Sequence, residues 1–145
     1  MTGVQTCALP IFKKKYIAYV YGKLPQRQGE IRFPIEDREY RKFRRRPLAK
    51  SARTRYQVIE ARKRFSVVEV EPLTGRKNQT RIHFTQIGHR LVGERKYAFA
   101  RDYPLKFKRV ALHAASLEWM HPVDHKKVKV TAQLPEDMEV FIARN

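Results

Sequence analysis

Cysteine is almost absent: Cys7 is the only one in 145 residues. This excludes an intramolecular disulfide framework and any zinc site built on cysteine, and it fits a reducing compartment. Acids are scarce as well. Asp plus Glu number 14 against 32 Lys plus Arg, which leaves a formal net charge of +18. The only long uncharged stretch, residues 1–12, is shorter than the roughly 20 apolar residues that cross a bilayer. The chain contains no H-E-x-x-H, no G-x-G-x-x-G and no G-x-x-x-x-G-K-[ST]. A zincin helix, a dinucleotide fingerprint and a triphosphate loop are therefore excluded. A charge excess of this size calls for a polyanionic partner, with nucleic acid ahead of a membrane surface.

Enough apolar residues are present for a real core. Hydrophobic residues make up 42% and charged residues 32%, a balance that excludes an intrinsically disordered chain. The length suits one domain, which at this size buries about 70% of its unfolded surface. Met1 to Phe12, MTGVQTCALPIF, carries no charge, and Lys13-Lys14-Lys15 follows at once. A signal peptide has its basic residues before its apolar run. The string resembles translated sequencing-adapter read-through, so residues 1–12 are read as non-native and 13–145 as the natural part. No repeat or low-complexity linker interrupts the remainder.

Apolar alternation predicts strands at Lys15–Tyr21, around Ile31, Phe33 and Ile35, at Thr54–Val58, at Phe65–Glu71, at Leu112–Met120 and at Lys127–Ala132. Thr54, Tyr56 and Val58 share one face, with Arg53, Arg55 and Gln57 opposite. Lys63 and Arg64 are expected at a hairpin turn. Val128 and Val130 are expected to face inward, with Lys127 and Lys129 outward. Leu24 to Gly29 reads as a turn or loop, and Arg38 to Lys50 as an aperiodic basic loop. Asn78 to Ile87 changes to helical spacing and ends at Gly88, a C-cap residue. Leu134-Pro135-Glu136-Asp137 opens a short terminal helix whose acids suit its N-terminal dipole. Strands outnumber helices and their connections are mostly too short for parallel crossovers. The fold class is therefore α+β, a mainly antiparallel mixed sheet with a few short helices.

Chemistry-bearing residues concentrate between Arg38 and Arg64. Twelve Lys/Arg and two acids put +10 of the total charge into 27 residues, interleaved with Tyr40, Phe43 and Tyr56. Cations contact phosphates and aromatics stack on unpaired bases. The blander alternative is a solvated charged face, but local and global charge both favour nucleic acid. Of the five histidines, His121 and His125 flank Pro122-Val123-Asp124, which reads as a polar hairpin tip rather than a metal loop. Leu73 to Gln79 suits a phosphate-holding loop before a helix.

Taken in order, these segments resemble the RluA-type family of RNA pseudouridine synthases. Lys14 to Gly22 resembles the family's K-x-Y-x-A-x-V-x-G, Gly29 to Ile35 its G-x-I-x-x-P-I, and Ala52 to Val58 its A-x-T-x-Y-x-V. The segment Glu71 to Tyr97 is similar to P-x-T-G-R-x-H-Q-I-R-x-H followed by G-H-P-[IL]-x-G-D-x-x-Y. Arg109 to Ala114 resembles R-L-x-L-H-A, with His121-Pro122 and Leu134 to Met138 completing the series. Asn78 stands where the family has His, Thr80 where it has Ile, Arg90 for Pro and Glu94 for Asp. The family's catalytic aspartate lies in H-R-L-D, upstream of the first strand. This chain lacks that motif; its four aspartates are Asp37, Asp102, Asp124 and Asp137.

The resemblance implies a pseudouridine-synthase-like domain truncated at its N-terminus. The reaction is isomerisation of uridine to pseudouridine in rRNA or tRNA, with no cofactor and no metal. The enzyme is expected to be a cytoplasmic monomer without a membrane partner. It assigns Arg81 to face the absent carboxylate, Tyr16 to stack on the uracil, and Leu112 to pack beneath the site. Arg76 and Lys77 would turn near the RNA backbone. Arg41, Lys42, Arg44, Arg45, Arg46, Arg53 and Arg55 would add phosphate contacts. This chain alone is expected to be inactive, and the strand at Lys15–Tyr21 is expected to show an unpaired edge. The alternative is a non-catalytic basic RNA-binding or ribosome-associated module.

The charge distribution sets the first measurable expectation. With about six phosphates engaged, log K for single-stranded RNA should fall against log[salt] with a slope of about −4. Replacing Arg44, Arg45 and Arg46 with Ala should weaken binding without changing sequence preference. A titration showing a slope near zero would contradict the assignment.

Overall fold

The computed structural model describes residues 11–37, 48–97 and 105–145. The elements are β1 (Ile11–Tyr21), β2 (Gln28–Ile31), β3 (Ile35–Asp37), β4 (Leu48–Lys50), β5 (Thr54–Ala61), β6 (Phe65–Pro72), α1 (Gln79–Gln86), β7 (Leu112–Met120), β8 (Lys127–Thr131) and α2 (Glu136–Arg144). Six strands form one sheet in the order β2-β5-β6-β1-β7-β8, while β3 and β4 form a separate pair. Every pairing among the described strands is antiparallel. The class is the α+β arrangement expected from strand spacing.

Alternation decides which face each strand buries. In β5, Thr54, Tyr56 and Val58 are buried while Arg55 and Gln57 are exposed. β1 and β6 carry apolar residues on both faces, as strands covered from two sides do. Ala18, Val20, Tyr56, Val58, Val68 and Val70 meet Phe84 of α1 and Leu91 in one core. On the opposite face, Tyr19, Phe65 and Val67 meet Phe107, Met138 and Phe141. The Phe141 ring lies 5.2 Å from Phe65, 5.7 Å from Tyr19 and 5.4 Å from Phe107, centroid to centroid. Tyr19 donates its phenolic hydrogen to the Met138 carbonyl at 3.0 Å, so its buried hydroxyl is satisfied.

Several sequence expectations need correction. β1 is central, not an open edge: Tyr16 pairs with Val70 on one side and Ala114 on the other. It also begins at Ile11, opposite Trp119, rather than at Lys15. The strand expected around Ile31, Phe33 and Ile35 is split in two. Pro34 has no N–H to give a ladder, and the Phe33 carbonyl accepts from His83 instead. β2 takes in Gln28 and Gly29, which read as loop. The end of the expected basic loop, Leu48–Lys50, forms β4 against β3. The remainder of that loop, residues 38–47, lies outside the described residues, together with Arg41, Lys42, Arg44, Arg45 and Arg46. Val130 is 50% exposed, because β8 is the last strand of the sheet. The β5–β6 hairpin, the helix closed by Gly88 (φ +83°) and the polar tip at His121 all agree with expectation. At that tip, His121 Nδ1 accepts from the amides of Val123 and Asp124.

The aromatic cluster gives a stability test. Phe141→Ala should cost about 3–5 kcal/mol, the usual result of emptying a buried phenylalanine site. Val140→Ala, one residue away on the exposed side of α2, should stay within about 1 kcal/mol. Urea unfolding of the two variants compares them directly.

Candidate functional site

A cleft of ≈ 290 Å³ opens where β1, the 72–78 loop, the first turn of α1 and the start of β7 meet. Tyr16, Arg81 and Leu112 all line it, together with Lys14, Arg76 and Gln79. Three residues separated by 96 positions of sequence therefore share one wall. Tyr16 reaches it from the central strand and Leu112 from its neighbour. A bulge between them helps to aim these side chains: Lys15 pairs with Ser116 but Tyr16 with Ala114, which leaves Ala115 unopposed. Bulges of this kind redirect side chains beside functional sites.

Arg81 is held firmly. Its Nε and Nη2 donate to the two oxygens of Glu94 at 2.6 and 2.7 Å, and the guanidinium lies 5.2 Å from the Tyr97 ring centroid. The Glu94 carboxylate is fully buried and also accepts from the Lys96 amide at 3.0 Å. Burial pushes this carboxyl up, but the Arg81 hydrogen bonds, the Lys96 amide and the Arg81 charge outweigh it and hold it below the ordinary carboxylate range. Hydrogen bonding to Glu94 in turn raises the Arg81 guanidinium, against the opposing effect of burial. Nη1 takes no protein hydrogen bond among the described residues, so one edge of the fork remains for a ligand. Asn78 donates to the Tyr97 hydroxyl at 2.8 Å and sits at φ 56°, ψ 28°, a left-handed conformation that asparagine tolerates.

A chain of buried polar groups seats the first turn of α1. His83 is fully buried; its Nε2–H donates to the Phe33 carbonyl and its Nδ1 accepts from the Thr54 hydroxyl, both at 2.7 Å. Burial lowers the His83 pKa, which favours the neutral ring this pattern requires. Gln79 Nε2 donates to Thr54 Oγ1 and to the Arg53 carbonyl, while its Oε1 accepts from Thr74 Oγ1 and the Arg76 amide. The 74–78 loop is thereby tied to β5 before any ligand arrives.

The sequence-predicted cations are scattered. Arg76 lines the cleft and donates to the Ser51 carbonyl at 3.0 Å. Lys77 is exposed beside it. Arg53 pairs with Glu30 at 2.9 Å. Arg55 lies on the opposite face of the sheet, 3.7 Å from Glu71, and does not reach the cleft. Lys14 and Glu94 were missed as site residues. The signal for Glu94 was its position as the only acid between Gly88 and Tyr97, among four basic or histidine residues. Among the described residues, no aspartate lines the cleft: Asp137 pairs with Arg109, and Asp124 sits at the β7–β8 turn.

Comparison with known proteins places these features in context. A family described as RNA pseudouridylate synthase matches residues 11–86. The chain is 36% identical over 149 residues to the ribosomal large subunit pseudouridine synthase D of Blochmanniella floridana, covering 90% of this chain and 45% of that protein. It is 34% identical to the dual-specificity RNA pseudouridine synthase RluA of Vibrio cholerae, covering 77% of this chain and 46% of the relative. The chain thus spans under half the length of these relatives. Among solved structures, the human RNA pseudouridylate synthase domain containing 1 superposes with a TM-score of 0.70 at 25% identity, covering 89% of this chain and 58% of that one.

The ion pair predicts a pH response. A carboxyl held below its unfolded value of 4.5 stabilises the fold above that pH and loses its contribution as pH falls through the lower folded value. Glu94→Gln should cost about 3–5 kcal/mol at neutral pH, because it strands a partly buried guanidinium. It should also flatten the decline in stability below about pH 4.5. Denaturant titrations of both proteins from pH 7 to pH 3 give the comparison.

Proposed function

Because the chain belongs to the RNA pseudouridylate synthase family, we propose that it forms part of the catalytic domain of an RNA pseudouridine synthase. The single observation that carries this reading is the convergence of Tyr16, Arg81 and Leu112 on one cleft. In the proposed reaction, the C–N glycosidic bond of a uridine breaks, the uracil turns, and a C–C bond forms to the same ribose. The target base has to leave its stack to be reached. Tyr16 offers its ring to the extruded uracil and Leu112 its apolar floor. The Nη1 edge of Arg81 meets the carboxylate that acts on the nucleotide and keeps it ionised. Arg76 and Lys77 hold the neighbouring phosphates.

That carboxylate would come from a His-Arg-Leu-Asp segment, as in the family motif, since no described aspartate reaches the cleft. The substrate is rRNA or tRNA; one relative is named for the ribosomal large subunit and another for RNA with dual specificity. Cytoplasmic location and a monomeric state complete the reading. No helix among the described residues is long and apolar enough to cross a membrane. A purely RNA-binding role would account for the charge, but gives no reason for an arginine fork and an aromatic ring to share a cleft.

Two assays test this. The 145-residue chain alone should yield no pseudouridine, detected by carbodiimide labelling of a mixed RNA pool. Product that disappears on mutating one of its own aspartates would overturn the assignment. In a chain extended upstream to a His-Arg-Leu-Asp motif, Arg81→Ala should cut tritium release from labelled uridine RNA by about a thousandfold, equivalent to the ~4 kcal/mol lost when a charge loses its buried partner. RNA affinity should change little. Equal losses of rate and affinity would make Arg81 a phosphate contact instead.

A further inference from the structure

A second cleft, of ≈ 370 Å³, lies beyond the C-terminal end of α1 and takes no part in the chemistry above. It is lined by Pro25, Gln26, Gly29, Phe33, Tyr56 and Ile87, among others. Phe33 is 50% exposed, although its backbone carbonyl is fixed by the buried His83. A large apolar ring is thus held in solvent by a rigid anchor. Tyr56 is only 7% exposed, with its ring packed edge-on to Phe84 at 5.8 Å. Its hydroxyl nevertheless takes no protein hydrogen bond among the described residues. Tyr56 lines the cleft, so its ring is packed in the core while its hydroxyl is open to a polar ligand there.

Gly29 makes the arrangement possible. A Cβ there would lie 2.6 Å from the Tyr56 hydroxyl and 2.7 Å from the carbon that bears it. The phenol therefore crosses β2 over a residue without a side chain. Arg32 stands 72% exposed on the rim. The rim carboxylate Glu30 pairs with both Arg32 and Arg53, and its hydrogen bonds to Arg53 and Arg32 hold it down at about 2. A ring for stacking, a polar group for a base edge and a net cationic rim in a chain of charge +18 are complementary to single-stranded nucleic acid.

We propose that the Phe33–Tyr56 cleft binds one unpaired nucleobase of the RNA, outside the reacting nucleotide. The base stacks on Phe33 and its polar edge meets the Tyr56 hydroxyl. Ile87, the C-cap of α1, stands six residues after Arg81, or about 9 Å along the helix axis at 1.5 Å per residue. That is a span of roughly three stacked nucleotides at 3.4 Å each. One strand can therefore occupy both clefts, so that the RNA is gripped at each end of α1. This location rests on the function proposed above; binding at the cleft itself does not.

The test is an abasic scan. Hexauridylate RNAs, each lacking one base, are titrated against the 145-residue chain, Phe33→Ala and Tyr56→Phe. One position should cost the unmodified chain about tenfold, or 1.4 kcal/mol, within the range for base–aromatic stacking. That penalty should vanish in Phe33→Ala, the non-additivity expected of two groups in contact. It should shrink in Tyr56→Phe, which keeps the ring and removes only the hydroxyl. Identical scan profiles for the chain and Phe33→Ala would overturn the proposal. So would a Phe33→Ala variant that binds RNA normally but loses self-association in sedimentation, since the cleft would then be a protein contact. The readout is binding alone, so it stands or falls independently of turnover in an extended chain.

Discussion

A carboxylate buried without exposure has to be neutralised where it stands, and Glu94 is neutralised by Arg81. Removing an ion from water costs several kcal/mol unless its partner is close and its oxygens are satisfied. The pair therefore cannot drift. Glu94 stands three residues after Leu91, which is bridged to Val20 of the central strand. Arg81 stands in the first turn of α1. Fixing one to the other fixes the helix against the sheet and presents a preset guanidinium edge to the cleft. The geometry of that edge is settled before any ligand arrives, so little ordering cost is left for binding.

The polar seat beneath α1 performs a complementary task. The helix buries Gln79, Thr80 and His83 alongside Phe84, so its inner face is mostly polar. Such a face is stable only when its groups find partners, and the run from Phe33 through His83, Thr54 and Gln79 to Thr74 supplies them for His83 and Gln79. The same run joins the two clefts. Phe33 at one end borders the outer cleft and Thr74 at the other borders the inner one. The helix thus runs between the two clefts, and its position is specified by hydrogen-bond geometry rather than by apolar volume.

These arrangements also explain what could be read in advance. β5 was legible because its alternation is strict and one face is wet. α2 was legible from Pro135 and the acids that follow it. α1 was found through its glycine stop and its spacing, not its hydrophobic face, because that face is polar. β3 and β4 were hidden: each has three residues, too few for a period, and Pro34 masks the first. Tyr16, Arg81 and Leu112 were legible through resemblance alone, since nothing in their local patterns brings residues 96 positions apart together. The Glu94 pairing was invisible for the same reason, and Arg55 was grouped with the binding cations because alternation gives its side of the strand but not the side on which the cleft opens.

The position of β1 has a kinetic consequence. Tyr16 stands in register opposite Val70 and Ala114, separations of 54 and 98 residues. Contacts so distant in sequence slow folding, because long loops have to close before they are rewarded. During synthesis at about 5–20 residues per second, β1 leaves the ribosome roughly 5–20 s before its β7 partner. For that interval one flank of Ile17-Ala18-Tyr19-Val20-Tyr21 presents open backbone and aromatic surface to every other nascent chain. The strand that becomes the most protected part of the sheet is thus the segment most in need of a chaperone while the protein is being made.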